Sequence, residues 1–193
     1  MISSHIHDAL NQIENLRRFV LEKKTFRGYS GKVRMVGGVV ALGGACLIKA
    51  MQLPAKPSQH FGVWCGVLAV ALALNYGALF LWFIRDPSSK REIMNLIPAI
   101  DAVPALAVGA FITVALPLHG EYNLLVPLWM FLYGLVHIPY RLNLPKQIYL
   151  VGIFYIICGA VLLFFPWPFT NPWPMGVTFL VGEILGGWVL LQK

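Results

Sequence analysis

Charged residues are scarce in this chain. Only 12% of its 193 residues are Asp, Glu, Lys or Arg, whereas hydrophobic residues make up 58% and the mean hydropathy is +0.70. Soluble domains carry about 25% charged residues, roughly twice as many. The composition therefore excludes an ordinary soluble domain and predicts an integral membrane protein.

The sequence motifs of soluble enzymes are missing as well. There is no nucleophile elbow, no glycine-rich dinucleotide-binding pattern, no HExxH and no CxxC. The three cysteines, Cys46, Cys65 and Cys158, all fall within apolar stretches, which gives neither a disulfide framework nor an aqueous zinc motif. The sequence requires no cofactor, and it favours a protein that is not an enzyme.

Six apolar stretches follow one another along the chain. Each is about 18–24 residues long, enough to cross a ~30 Å hydrocarbon core as a helix. We predict an all-α integral membrane protein in which residues 34–193 form a bundle of six transmembrane helices, arranged as three helical hairpins. The predicted spans are residues 35–52, 61–84, 97–118, 122–140, 147–166 and 173–191.

The net charge of +7 is distributed unevenly across these spans. Of the 15 Lys and Arg residues, seven precede the first span, three follow the second, two follow the fourth and one ends the chain. Only Lys49 and Lys56 fall on the other side. This is the positive-inside distribution. It predicts an inner-membrane protein with both termini in the cytoplasm, and it accounts for the basic charge without a nucleic-acid partner.

Residues 1–33 are predicted to form a separate amphipathic helix and a basic linker. Apolar residues recur there at steps of three and four, which lines one face of a helix: Ile6, Ala9, Ile13, Leu16 and Val20. One interpretation is a helix that lies on the inner leaflet, held by anionic lipid. The other is a helix that pairs with a second copy or a partner protein.

Glycines in the first and last spans predict close helix contacts. Gly182 and Gly186 form a GxxxG pair, and Gly37 and Gly44 lie in the first span. Glycine lets two helix backbones approach closely, which is how membrane helices gain packing energy. The contacts are either internal to the bundle or part of a homo-oligomer or a larger membrane complex.

Four polar residues lie within the spans: Asn75, Asp101, His137 and Glu183. Counted at 1.5 Å per residue from the basic loops, all four lie at the midplane or in the cytoplasmic half. Glu183 is the hardest of the four to explain, because a carboxylate at that depth raises the free energy of membrane insertion by at least ~2.5–3.5 kcal/mol. If the side chains converge, Asp101, His137 and Glu183 could relay protons or bind a divalent cation.

Three of these residues also have simpler interpretations. Asp101 could cap a helix that has Pro104 in its first turn, an arrangement that suits both residue types. His137 could lie at the level of the lipid headgroups, and Asn75 could form hydrogen bonds between helices. A haem-type site is less expected, because His137 is the one histidine within the spans.

The functional prediction is a non-enzymatic membrane protein that acts as a structural or accessory subunit of a membrane assembly. The alternative is a small proton- or cation-coupled carrier or channel that uses Asp101, His137 and Glu183. An intramembrane metal or haem-type site is the least expected of the three.

Overall fold

The computed structural model describes residues 10–15, 26, 28–87, 96–140 and 144–192. Helices account for most of this part of the chain, which contains no strand, so the predicted all-α class is confirmed. Residues 10–15 are helical and exposed, and the rest of the predicted amphipathic helix lies outside the described residues. The main helices are α1 (Gly31–Ala50), α2 (Pro57–Arg85), α3 (Val103–Leu118), α4 (Leu125–Tyr140), α5 (Ile148–Phe164) and α6 (Trp173–Leu191).

Four helical segments in the described chain are long and apolar enough to cross a membrane. They are Gly31–Ala50, Pro57–Arg85, Tyr122–Pro139 and Trp173–Leu191. The segment from Tyr122 includes a 3-10 turn, Tyr122–Leu124, that leads into α4. Helices α3 and α5 are equally apolar but shorter, at 16 and 17 residues. The chain therefore has the makeup of a membrane protein.

Helix α1 begins earlier than the hydropathy predicts. Ser30 has an extended backbone, and its hydroxyl accepts a hydrogen bond from the Val33 amide at 3.4 Å, so the helix starts at Gly31. Serine is a favoured residue at this position because it satisfies an amide that has no partner within the helix. Arg34, which was counted with the basic residues before the first span, therefore lies in the first turn of α1.

The start of α3 also differs from the prediction. Residues Ile97–Ile100 form a short helical turn, and Ala102 rather than Asp101 stands at the N-cap of α3, where no side chain caps the helix. The backbone of Ala102 is already near helical, with φ −80° and ψ −20°, whereas a capping residue adopts an extended backbone. The N-cap interpretation of Asp101 is therefore wrong, and its side chain is exposed.

Two antiparallel seams hold the bundle together. Along α1 and α6, a Cβ at Gly31 would overlap the carbonyl of Gly187, and further along Gly176 lies against Ala45. Along α4 and α5, a Cβ at Gly134 would lie 2.8 Å from the carbonyl oxygen of Gly152. A side chain in these places would force the backbones apart, so small residues set the helix spacing.

The helices are arranged as an open ring. Following their contacts, the order is α2, α1, α6, α5, α4 and α3, and the most extensive contacts are those of α1 with α6 and of α4 with α5. Within the described residues α2 and α3 make at most marginal contact with each other, so they stand at the two ends of this order. Large apolar side chains such as Phe80, Phe111 and Phe164 cover the outside of the ring, as expected for a surface in contact with lipid.

Candidate buried polar site

Glu183 of α6 pairs with a charged residue of another helix, Arg34 of α1. Its Oε1 accepts a hydrogen bond from Nη2 of Arg34 at 3.1 Å, and its Oε2 lies 3.1 Å from Nε of the same residue. Both residues are buried, at 4% and 7% exposure. The second contact is an ion-pair contact whose geometry is not that of a hydrogen bond. A buried carboxylate is retained when it is paired and hydrogen-bonded, and Arg34 meets this requirement.

His137 forms the third member of the cluster. Its Nε2 is hydrogen-bonded to Nη2 of Arg34, and its Nδ1 lies 2.6 Å from the carbonyl oxygen of Tyr133. Arginine has no acceptor and a carbonyl has no donor, so Nδ1 carries the hydrogen and Nε2 accepts. The imidazole is therefore neutral in this arrangement, and the charges of Arg34 and Glu183 balance each other.

Aromatic residues enclose the cluster. The hydroxyl of Tyr155, which is fully buried, donates to Oε1 of Glu183 at 2.9 Å. The ring of Tyr133 lies 4.9 Å from that of Tyr155, centroid to centroid, and its centroid is 6.0 Å from Cζ of Arg34. Phe179 packs on both tyrosines. These rings bury the ion pair on one side and lower the local dielectric constant, which strengthens its electrostatic attraction.

The glycines of the GxxxG pair provide the space for this cluster. A Cβ at Gly182 would overlap the ring of Tyr155, and a Cβ at Gly186 would overlap the guanidinium of Arg34. Gly44 receives the side chain of Val67 from α2, whereas Gly37 leaves room beside Asn75, at 3.6 Å. All four predicted packing glycines lie in α1 or α6, and each faces a residue of this same chain.

A cavity of about 200 Å³, which we call the bundle cavity, lies beside the cluster. Five helices contribute to its wall, and most of its lining is apolar. Arg34, His137 and Glu183 lie at one end, and Phe61, Trp64 and Phe169 lie toward the other. Two buried polar atoms in the wall have no hydrogen-bond partner in the described chain. They are Nε of Arg34, which lies in the ion pair with Glu183, and Nε1 of Trp64.

The other two sequence-predicted site residues lie apart from the ion pair. Asn75 lines the bundle cavity, and its amide nitrogen donates to the carbonyl of Ala71 in its own helix at 3.0 Å. Asp101 is exposed and does not line the cavity. Within the described residues no three His, Cys, Asp or Glu side chains come together, so Asp101, His137 and Glu183 do not form a metal-ligand set there.

Sequence reasoning missed Arg34, Tyr133 and Tyr155. Arg34 was counted with the basic residues before the first span, although Ser30, four residues earlier, is a helix-start signal that would have placed it inside α1. The two tyrosines carry no sequence signal of their own, because tyrosines are common in membrane helices.

The fold and the site together define a class of protein: an all-helical protein with apolar helices suited to a membrane and a charge-balanced polar cluster inside. Comparisons with known proteins do not narrow this further, since no protein family, no characterised protein and no solved structure matches the chain.

Proposed function

We propose that this chain is a six-span inner-membrane protein that binds a lipophilic molecule inside its bundle and performs no catalysis. The observation that carries the proposal is the bundle cavity, an apolar space walled by five helices, with a charge-balanced polar cluster at one end. A bundle that served only as a scaffold would gain stability from filling this space.

Six spans are favoured by the lengths and directions of the helices. Helix α5 has 17 residues, the lower limit for a membrane span, and α3 is extended by the helical turn Ile97–Ile100. The contact of Gly31 with Gly187 places the start of α1 beside the end of α6. The basic residues near both of those ends favour a cytoplasmic location for them.

Cysteine labelling from the two sides of the membrane tests this topology. Glu121 and Lys146 are exposed at opposite ends of the pair α4 and α5. In a background without native cysteines, Glu121→Cys should react with a membrane-impermeant maleimide in intact cells, and Lys146→Cys should react only after permeabilisation. Labelling of both positions from the same side would contradict the six-span arrangement.

The shape of the bundle cavity favours a long apolar ligand. Along α2 its lining residues run from Phe61 to Tyr76, which corresponds to ~22 Å at 1.5 Å per residue. Helices α2 and α3, which make at most marginal contact with each other in the described chain, both contribute to the cavity wall. We infer that a lipophilic molecule enters the cavity from the bilayer between these two helices.

The two earlier hypotheses lose support at particular residues. Arg34 balances the charge of Glu183, and Asp101 lies elsewhere, so a proton- or cation-coupled carrier would have no net negative site to use. The accessory-subunit hypothesis drew on Gly182 and Gly186, which face Tyr155 and Arg34 of the same chain. Association with a membrane complex stays a proposal that co-purification would test.

A pair of substitutions on one helix tests ligand binding. Ala71 lines the cavity, whereas Ala73, two residues away, is exposed on the outside of α2. Purified protein is supplied with a long-chain alkane in micelles, and native mass spectrometry counts the molecules retained. Wild type and Ala73→Phe should retain the alkane, and Ala71→Phe should lose it because the ring fills the cavity. Equal retention by both variants, with both folded, would contradict binding in the cavity.

A further inference from the structure

The bundle cavity contains a buried hydrogen-bond donor that meets no acceptor in the described chain. It is Nε1 of Trp64, a residue that is 5% exposed and lines the cavity. A buried donor without an acceptor costs about 1–3 kcal/mol. The described residues that pack around Trp64 are apolar, among them Leu125 and Phe169, and they offer a water few polar partners. An acceptor atom on a ligand would relieve this cost.

The donor lies far from the ion pair. Trp64 lies beside Gly44 on α1, since a Cβ at Gly44 would lie 3.6 Å from Cζ3 of the indole ring. Gly44 follows Arg34 by ten residues, which is ~15 Å along the helix. A ligand that bound Trp64 and filled the cavity toward Arg34 would have to be elongated, in agreement with the length of the cavity.

The charge of the site restricts the ligand further. Arg34 and Glu183 neutralise each other, and His137 is neutral in its observed hydrogen-bonding arrangement. An anionic or cationic headgroup would bring an uncompensated charge into a low-dielectric space, which is costly. An uncharged group with an acceptor oxygen would satisfy a donor and leave the balance unchanged.

We propose that the bundle cavity binds an uncharged, elongated lipophilic molecule that carries a carbonyl-type oxygen, with the N–H group of Trp64 as the donor. This inference rests on the proposed function and adds the chemical class of the ligand. It requires that binding depend on the acceptor oxygen as well as on the apolar chain.

The test compares four probes of equal chain length: an alkane, a methyl ketone, a fatty acid and a primary amine. Native mass spectrometry and competition measure their affinities for the full chain in micelles. The ketone should bind about tenfold more tightly than the alkane, the factor that corresponds to one hydrogen bond of about 1.4 kcal/mol. The fatty acid and the amine should bind more weakly than the ketone at neutral pH.

A conservative variant assigns this selectivity to the named donor. Trp64→Phe removes the indole N–H and leaves the ion pair of Arg34 and Glu183 intact. The advantage of the ketone over the alkane should vanish in this variant, while alkane binding persists. A ketone advantage that survives Trp64→Phe would overturn the assignment of the donor.

The outcomes separate this inference from the proposed function. Equal affinity for ketone and alkane, or tightest binding of the fatty acid or the amine, overturns the assignment of ligand class. In that case alkane binding that Ala71→Phe abolishes still supports the cavity as a binding site. If no probe binds to wild type, both the ligand class and the proposed function are wrong.

Discussion

The ion pair of Arg34 and Glu183 allows a quantitative test of the structure. Their side chains are only 9% and 6% exposed, so removing one charge leaves the other buried without a counter-charge. Loss of one partner of a buried pair costs about 3–5 kcal/mol. We therefore expect Glu183→Gln and Arg34→Gln each to lower the free energy of unfolding by about this amount.

The double variant should lower the free energy of unfolding by less than the sum of the two single variants. With both charges gone, the two amides can bond to each other and Tyr155 keeps an acceptor, so we expect a loss no larger than that of the worse single variant. The resulting coupling energy is about 3 kcal/mol, the upper end of values for residues in contact. Reversible unfolding by SDS in mixed micelles, followed by tryptophan fluorescence, measures it.

Two exposed charges serve as controls for this cycle. Glu121→Gln and Lys146→Gln, alone and together, should change the free energy of unfolding by less than about 0.5 kcal/mol, because both side chains are exposed. If the Arg34 and Glu183 variants each cost below about 1 kcal/mol and their effects add, the two side chains are not paired, and the description of the cluster is wrong.

Two further substitutions test the surroundings of the pair. Gly186→Ala should destabilise the protein by about 1–3 kcal/mol, because its methyl group would overlap the guanidinium of Arg34. Gly43 faces open space, so Gly43→Ala should be neutral or stabilising by up to about 1 kcal/mol. Thermal unfolding in detergent compares the two variants, and equal effects would refute the close packing. Tyr155→Phe should lower the free energy of unfolding by about 1.5–3 kcal/mol, the value of a hydrogen bond to a charged group. Tyr76 is 37% exposed, so Tyr76→Phe should lower it by less than about 0.5 kcal/mol. The same assay measures both variants, and an unchanged stability of Tyr155→Phe would contradict the bond to the carboxylate.

The helices could be predicted from the sequence because each is a long apolar stretch bounded by polar or proline-rich segments. Helix α6 matches its predicted limits, 173–191, and α5 lies within two residues of them. The larger differences are at the starts of α1 and α2, which each begin four residues before the predicted span, and at the start of α3, which begins six residues after it. Ser30 starts α1 early by capping it, and the near-helical turn before Val103 removes the N-cap position from Asp101.

The candidate site was only partly predictable. Hydropathy and depth selected His137 and Glu183, because polar groups in apolar helices need partners. The partner itself lies on α1, 149 positions away in sequence from Glu183. Contacts between residues so far apart in sequence depend on which helices lie next to each other in the bundle. The six helices are similarly apolar, so the hydrophobic periodicity of the sequence does not determine their order. Arg34 was therefore counted with the basic residues before the first span, and Asp101 was kept as a candidate for the site.

The two glycine-lined seams have a mechanical consequence. They join α1 to α6 and α4 to α5 with their backbones in close contact, and these are the most extensive helix contacts in the described chain. The contact between the two pairs, made by α5 and α6, is much smaller. Two hydrogen bonds of the polar cluster cross there: Arg34 of α1 bonds to His137 of α4, and Tyr155 of α5 donates to Glu183 of α6. The buried polar cluster thus ties together two helix pairs whose apolar contact with each other is limited.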